Sequence, residues 1–189
     1  MFHEESLMNS WQTIVRLATA LLVASAVAFA QSPSPAAAQP RTTETILRAA
    51  DINDHVFPAT VFFRGQTTTS QLDNSGGVRY ADGFMVLAAL VDNAGYATQV
   101  RVKYQAYLIV EVPIVIGGQT LNPGAYGCGF VENNKFVVMD LGANDLLTVT
   151  STRDTDIQRP IPLQFVAADV AGGYRLYHGR DFVEFRRVK

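Results

Sequence analysis

Every second residue from Val100 to Ile114 is apolar, namely Val100, Val102, Tyr104, Ala106, Leu108, Val110, Val112 and Ile114, with Gln99 before them and Arg101, Lys103, Gln105 and Glu111 between them. A period of two sends alternate side chains to opposite faces of a strand, so the pattern predicts a half-buried β-strand. Taken whole, that strand would run beyond about 45 Å at ~3.3 Å per residue, longer than strands usually are. A bend, a bulge or a short helical turn near Lys103–Ala106 is therefore expected. Tyr107, Ile109 and Val115 make the later half apolar on both faces, which places it deepest. The apolar runs from Tyr104 to Asp140 are broken by Gly117-Gly118, Asn122-Pro123-Gly124 and Glu132-Asn133-Asn134-Lys135. Pro123 presets φ for a β-turn and Gly124 is expected to take the positive φ of a type II turn, while Asn133-Asn134 suits a left-handed tight hairpin. The stretch reads as three strands of an antiparallel sheet nucleus.

The flanks extend the same reading. Val56–Phe63 is an edge strand by virtue of Pro58, which cannot donate to a ladder. Arg64–Ser75 is polar and is either a solvated strand or an exposed loop, after which Gly76-Gly77 is expected to reverse the chain. Phe84–Val91 is apolar on both faces and suits a central strand, although its Leu-Ala-Ala-Leu also suits a helix. Leu146–Thr150, Leu163–Ala167, Gly173–His178 and Phe182–Val188 complete the strands, with turns at Ala171–Gly173 and Gly179–Asp181. Thr43–Ile52 predicts the single helix, about two turns long, with Thr43 as N-cap. The whole predicts an all-β fold, an antiparallel sandwich or barrel of about 8–10 short strands with one short N-terminal helix. A membrane barrel would alternate lipid-facing apolar residues with a polar lumen, which Phe84–Val91 and Leu108–Ile116 do not.

The N-terminus changes the compartment. Leu17–Ala30 is an apolar run after Arg16, and Ala28-Phe29-Ala30 before Gln31 fits signal-peptide cleavage. The run falls short of the ~20 residues of a membrane span. Glu4 and Glu5 suit a signal n-region poorly, which makes Met8 the alternative start. An uncut N-terminal anchor is the alternative, and Ala36–Ala38 offers a second cleavage point. Residues 1–30 thus read as a signal peptide, 31–43 as a flexible Ser/Pro/Ala-rich linker and 44–189 as one all-β domain. The mature protein is expected in the periplasm, on the cell surface or outside the cell, and not as an integral membrane protein. Loss of Glu4, Glu5 and Arg16 moves the net charge from −2 to −1, which argues against a nucleic-acid surface. Cys128 is the only cysteine, so no internal disulfide forms despite export. Between Gly127 and Gly129 it reads as a small buried hydrophobe; an intermolecular disulfide or reactive thiol is the alternative.

The segment Ile116–Gly127 resembles the I-G-G-x-x-L-x-x-G-x-Y pattern of some secreted bacterial domains of unknown function, and Val56 to the C-terminus resembles such an uncharacterised all-β family. The resemblance brings no activity, cofactor or site residue. Chemistry must come from the residues themselves. His55 stands near Asp51 and Asp54, and with His178 these could ligate a metal, although no short His or Cys pairs support it. His178 and Asp181 at a strand tip could serve acid–base work in a small hydrolase. No Ser lies in a nucleophile elbow, and no glycine pair opens a phosphate-binding helix. The polar run with Gln66, Thr68, Gln71 and Asn74, together with Tyr107, Tyr177 and Arg180, suits ligand contact through apolar area and hydrogen bonds. A second apolar layer is the competing role for Tyr107. The balance favours an exported, non-enzymatic binding or envelope-associated module without a cofactor, its ligand or envelope partner unspecified.

Overall fold

The computed structural model describes residues 43–188. The expected signal peptide, both cleavage points and all of the linker but Thr43 lie outside the described residues. The chain forms β1 (Thr45–Arg48), a 3₁₀ turn (Ala49–Asp51), β2 (Thr60–Phe63), β3 (Gln66–Arg79), β4 (Met85–Val91) and α1 (Thr98–Lys103). There follow β5 (Ala106–Val110), β6 (Ile114–Ile116), β7 (Gln119–Leu121), β8 (Gly124–Val131), β9 (Lys135–Met139) and β10 (Asp145–Thr150). Then come β11 (Thr152–Arg153), β12 (Leu163–Ala167), β13 (Gly173–His178) and β14 (Asp181–Arg187). An eight-stranded sheet runs β1-β3-β4-β5-β8-β9-β10, with β2 also on β3; a six-stranded sheet runs β12-β13-β14-β6-β7, with β11 also on β14. All pairings are antiparallel and neither sheet closes on itself, so the fold is a sandwich rather than a barrel.

The strand count exceeds expectation because strands change sheets at corners. β5 continues through Glu111–Pro113 into β6, and β7 returns through Asn122-Pro123 into β8, so one long hairpin bends out of the large sheet into the small one. Leu108, Val110, Val112, Ile114 and Ile116 all enter the core between the sheets, so the period of two survives the bend. The Tyr126 hydroxyl donates to the Asn122 carbonyl at 2.8 Å and fastens the corner. The expected type II turn is therefore a crossover. Gly124 lies outside the left-handed region, and a Cβ there would stand 2.8 Å from the Tyr126 hydroxyl oxygen. Asn133 and Asn134 do adopt positive φ, 63° and 54°, in the β8–β9 hairpin.

Three further expectations change. Thr43–Ile52 is not a helix: Ile46 and Leu47 face opposite cores as β1 pairs with β3, and tertiary pairing outweighs the weak preference of two helical turns. Gly76-Gly77 does not reverse the chain but lies inside β3 between β1 and β4, where a Cβ on Gly77 would come 2.6 Å from the Val86 carbonyl. The reversal is replaced by a bulge between Gln71 and Ser75. The interruption expected near Lys103–Ala106 is a short helix, α1, which replaces the start of the alternating strand: Val100 and Tyr104 are also i, i+4 on a helix, and Val102, which only a strand would bury with them, is 50% exposed.

A second core explains why β4 and β5 are apolar on both sides. Phe57, Val61, Phe63, Tyr96 and Val100 cover the outer face of the large sheet, packing on Leu87, Ala89, Tyr107, Val137 and Met139. Phe63 and Tyr104 stack at 3.9 Å over β8, where a Cβ on Gly127 would lie 2.5 Å from the Phe63 ring. Cys128, between these glycines, faces the inter-sheet core and burial pushes its thiol up to about 12, which keeps it protonated and inert.

The outer core contains a paired and an unpaired tyrosine hydroxyl. Tyr96 donates to the Phe63 carbonyl at 3.0 Å, whereas the buried Tyr104 hydroxyl has no partner among the described residues. Removing a satisfied bond costs about 0.5–1.5 kcal/mol, while an unsatisfied buried hydroxyl is itself a penalty. Tyr96→Phe is thus expected to lower stability by about 1 kcal/mol and Tyr104→Phe to leave it unchanged or raise it. Urea unfolding of the two variants checks the contrast.

Candidate functional site

The small sheet has a gap on one side of β14. β11 lies opposite Asp181 and Phe182, and β6 lies opposite Phe185, Arg186 and Arg187. No strand residue stands opposite Glu184 on that side. In an antiparallel ladder the N–H and C=O of one residue point to the same side, and successive residues alternate. Val188 N–H donates to the Pro113 carbonyl and Asp154 N–H to the Arg180 carbonyl, so residues 180, 182, 184, 186 and 188 direct their backbone groups away from β13. Phe182 and Arg186 meet Thr152 and Val115 across that edge. Glu184 directs its amide and carbonyl into the break.

Chain crossings create the gap. The Gly117-Gly118 turn ends β6, and both glycines have positive φ, 55° and 83°. Val149 lies so close beneath Gly117 that a Cβ would meet it at 2.7 Å. On the far side the chain passes from β10 through Ser151 into β11. Between these walls opens a cleft of about 540 Å³ on the outer face of the small sheet, bordered by Val115, Gly118, Thr150, Thr152, Val170 and Arg186 among others. That volume lies in the range of small-ligand sites, about 300–1,000 Å³.

The charges on this face are mostly committed. Arg175 binds Glu184 at 2.9 Å and Asp169 at 2.8 Å, and its guanidinium lies 4.8 Å from the Phe182 ring centre. Those bonds, to Glu184 above all, raise its pKa further and hold it charged. Arg153 grips both oxygens of Asp181 at 3.0 and 3.2 Å. Arg186, exposed at the cleft, has no ion pair among the described residues.

Sequence reasoning found the edge of this region but not its centre. Tyr177 is buried against Phe182, and its hydroxyl donates to Asp154 at 2.9 Å; that bond holds the Asp154 carboxyl below the usual range. Arg180 donates to the Ile157 carbonyl at 3.1 Å. Both residues pin the loop after β11. Tyr107 is in the second core, 7% exposed and edge-on to Phe57, so it is no surface contact. Gln66–Asn74 is not a loop: Gln66, Thr68 and Gln71 lie along β3, and the Thr68 hydroxyl is bound to the Asp92 carbonyl. Asn74, bonded to Gln71 at 3.0 Å, borders a separate groove of about 630 Å³ between the edge strands β1 and β12.

The metal set does not assemble. Among the described residues no three His, Cys, Asp or Glu side chains converge to hold an ion. The His55 side chain is 91% exposed beside Asp54, 3.9 Å away, and Asp51 caps the 3₁₀ turn by accepting from Arg48 N–H at 2.9 Å. His178 instead stacks on Phe130 at the mouth of the inter-sheet space, where the opening is only about 10 Å³. No family model, curated protein or solved structure matches the chain.

Burial lowers the His178 pKa from its ordinary 6.5, against the smaller opposing pull of Asp181, whose charge Arg153 already shares. The native imidazole therefore stays neutral where the unfolded chain takes up a proton. Stability from this group is present above pH 6.5 and is lost as pH falls through the lower native value. Unfolding midpoints are expected to drop between about pH 7 and pH 5, and His178→Gln should flatten that slope.

Proposed function

We propose that the protein is exported and that its β-sandwich is a non-enzymatic binding module of the cell envelope or its surroundings, holding its ligand in the cleft beside β14. The observation that carries this reading is the interrupted ladder at Glu184. A strand with its backbone groups turned into a walled, ligand-sized cleft offers hydrogen bonds that the fold itself does not use. Export is supported by the apolar Leu17–Ala30 run and its Ala28-Phe29-Ala30 end. The resemblance of Ile116–Gly127 to secreted bacterial domains accords with it. The rival reading, a hydrolase or metal enzyme built on His55 and His178, has less support, since a catalytic site needs its groups held within reach of one another and these two do not share a cluster.

N-terminal sequencing of the exported form is expected to begin at Gln31; a mature protein that retains Trp11 would overturn the export reading as stated. The cleft is tested by capture of solubilised envelope components on the immobilised protein. Val115→Trp, which fills the cleft from β6 while leaving the inter-sheet core untouched, should abolish a capture that the double variant His55→Ala, His178→Ala retains. The reverse pattern, with unchanged unfolding curves, would restore the enzyme reading.

A further inference from the structure

We propose that the edge strand β12 takes up an extended segment of a partner polypeptide, which adds to the small sheet as a further strand and lies in the groove over β1; the site is independent of the cleft beside β14. The alternation of the ladder leaves that edge open. Gly179 N–H donates to the Pro162 carbonyl and Ala168 N–H to the Gly173 carbonyl, so residues 162, 164, 166 and 168 direct their backbone groups toward β13. Leu163, Phe165 and Ala167 therefore turn theirs outward, and no strand or turn among the described residues bonds to them. Such an edge recruits a foreign strand unless charge, proline or a bulge blunts it. Leu163–Ala167 contains none of the three. On the opposite side of the sandwich the edges are blunted: Gln119 of β7 donates to the Thr148 carbonyl of β10 at 3.3 Å, and β10 carries a bulge between Asp145 and Leu147.

The layers decide what fits there. The Phe165 ring packs over β3, where a Cβ on Gly76 would meet it at 3.0 Å, and β1 lies one strand further out than β3. The large sheet thus extends one strand beyond the small one. Ile46, on the inner face of β1, is only partly buried, whereas Leu47 on its outer face is 4% exposed. The space left is the groove of about 630 Å³. A strand bonded to β12 stands about 4.8 Å outside it, as β1 stands outside β3, and so closes over β1. A second copy of the sandwich does not fit, because its own projecting β1 would meet this one when two β12 edges pair. Charge then selects the inward side chains. Arg48 lies on the same face of β1 as Ile46, is paired with Gly76 beneath Phe165, and has no ion pair among the described residues. The incoming residue that pairs with Phe165 turns its backbone to β12 and its side chain to this floor, where a carboxylate meets the guanidinium in a charge-assisted bond. Asp73, the other ionised side chain on the groove wall, stands on the β3 bulge beyond Gly76. Two positions to either side, opposite Leu163 and Ala167, the incoming side chains face the same way and cover Leu163 and Ile46. The segment is therefore an extended one with an acidic residue between two apolar residues, each at a spacing of two.

The probe is the peptide acetyl-Thr-Val-Thr-Asp-Thr-Val-Thr-amide, whose pattern reads the same in both chain directions, titrated into the ¹⁵N-labelled protein. The amides of Leu163, Phe165 and Ala167 are expected to shift saturably and to exchange with solvent at least about tenfold more slowly. N-methylation of the aspartate removes an N–H aimed at β12 and should weaken binding at least about tenfold. N-methylation of the threonine beside it, whose N–H points away, should leave binding within about twofold. Ala167→Pro removes an N–H that the fold does not use, and should weaken binding at least about tenfold with its unfolding curve retained. Arg48→Glu should reverse the charge preference, so that a lysine analogue of the peptide binds better than the aspartate one. Val115→Trp should change none of this, which separates the groove from the cleft beside β14. Absence of saturable shifts, shifts confined to other surfaces, equal effects of the two N-methylations, or protection of the three amides before peptide is added overturns the proposal. Self-association without peptide that Ala167→Pro abolishes overturns it in favour of a second copy.

Discussion

The hairpin that runs out as β5–β6 and returns as β7–β8 has to satisfy two sheets with one alternating pattern, and the rest of the sandwich is arranged around that requirement. Its inner residues, from Leu108 through Val112 to Ile116, remain on one side of the chain through the bend. Pro113 and Pro123 stand at the two turning points, where no ladder donor is needed, and the Tyr126–Asn122 bond ties the corner across its base. Because β5 and β8 are central in the large sheet while β6 and β7 end the small one, the corner fixes the separation and relative direction of both. β14 then pairs with β6, and β13 and β12 follow outward.

Burying the large sheet on both faces required a second device. β4 and β5 are apolar on each side, so their outer residues must be covered by other chain, part of it the edge strand β2 and part of it outside the sheets. The segment around Phe57 and Phe63 and the end of α1 provide that cover. They approach closely only because Gly127 and Gly129 carry no side chain: a Cβ on Gly129 would come 2.3 Å from the Lys103 carbonyl. The Gly-Cys-Gly sequence is thus one thiol facing inward and two flat positions facing outward. Asn93 completes the arrangement by donating to the Tyr104 carbonyl at 2.6 Å and the Arg101 carbonyl at 3.1 Å, groups that the end of α1 leaves open.

The all-β class, the burial of Val86–Ala89 within the Phe84–Val91 run and the Asn133-Asn134 hairpin were legible because each follows from periodicity or from residues that tolerate positive φ. The misreadings share one cause. Gly76-Gly77 and Gly124 are read locally as turn formers, yet their smallness answers to neighbours distant in sequence, Val86 for one and Tyr126 for another. Local pattern likewise cannot separate β1 from a two-turn helix, since only the free edge of β3 decides between them. The cleft was illegible for the same reason. Glu184 sits in an ordinary alternating strand, and nothing in that strand reports that β6 stops one residue too soon and β11 begins one residue too late.

The cleft beside β14 lies on the face that the cores do not use. With the outer face of the large sheet covered, the small sheet presents the remaining broad face, and there the charged side chains are largely spent on one another: Arg175 on Asp169 and Glu184, Arg153 on Asp181. Such pairs are worth little to stability on a surface, about 0–1 kcal/mol each. Their consequence is electrostatic. By pairing off the groups around the break they leave Arg186 as the ionised side chain of the cleft wall without an ion pair among the described residues, beside a backbone pair that no strand stands opposite. A sandwich that carries its strands from one sheet to the other at corners necessarily interrupts a ladder where two crossings flank one strand, so the architecture that secures the core also produces the opening beside it.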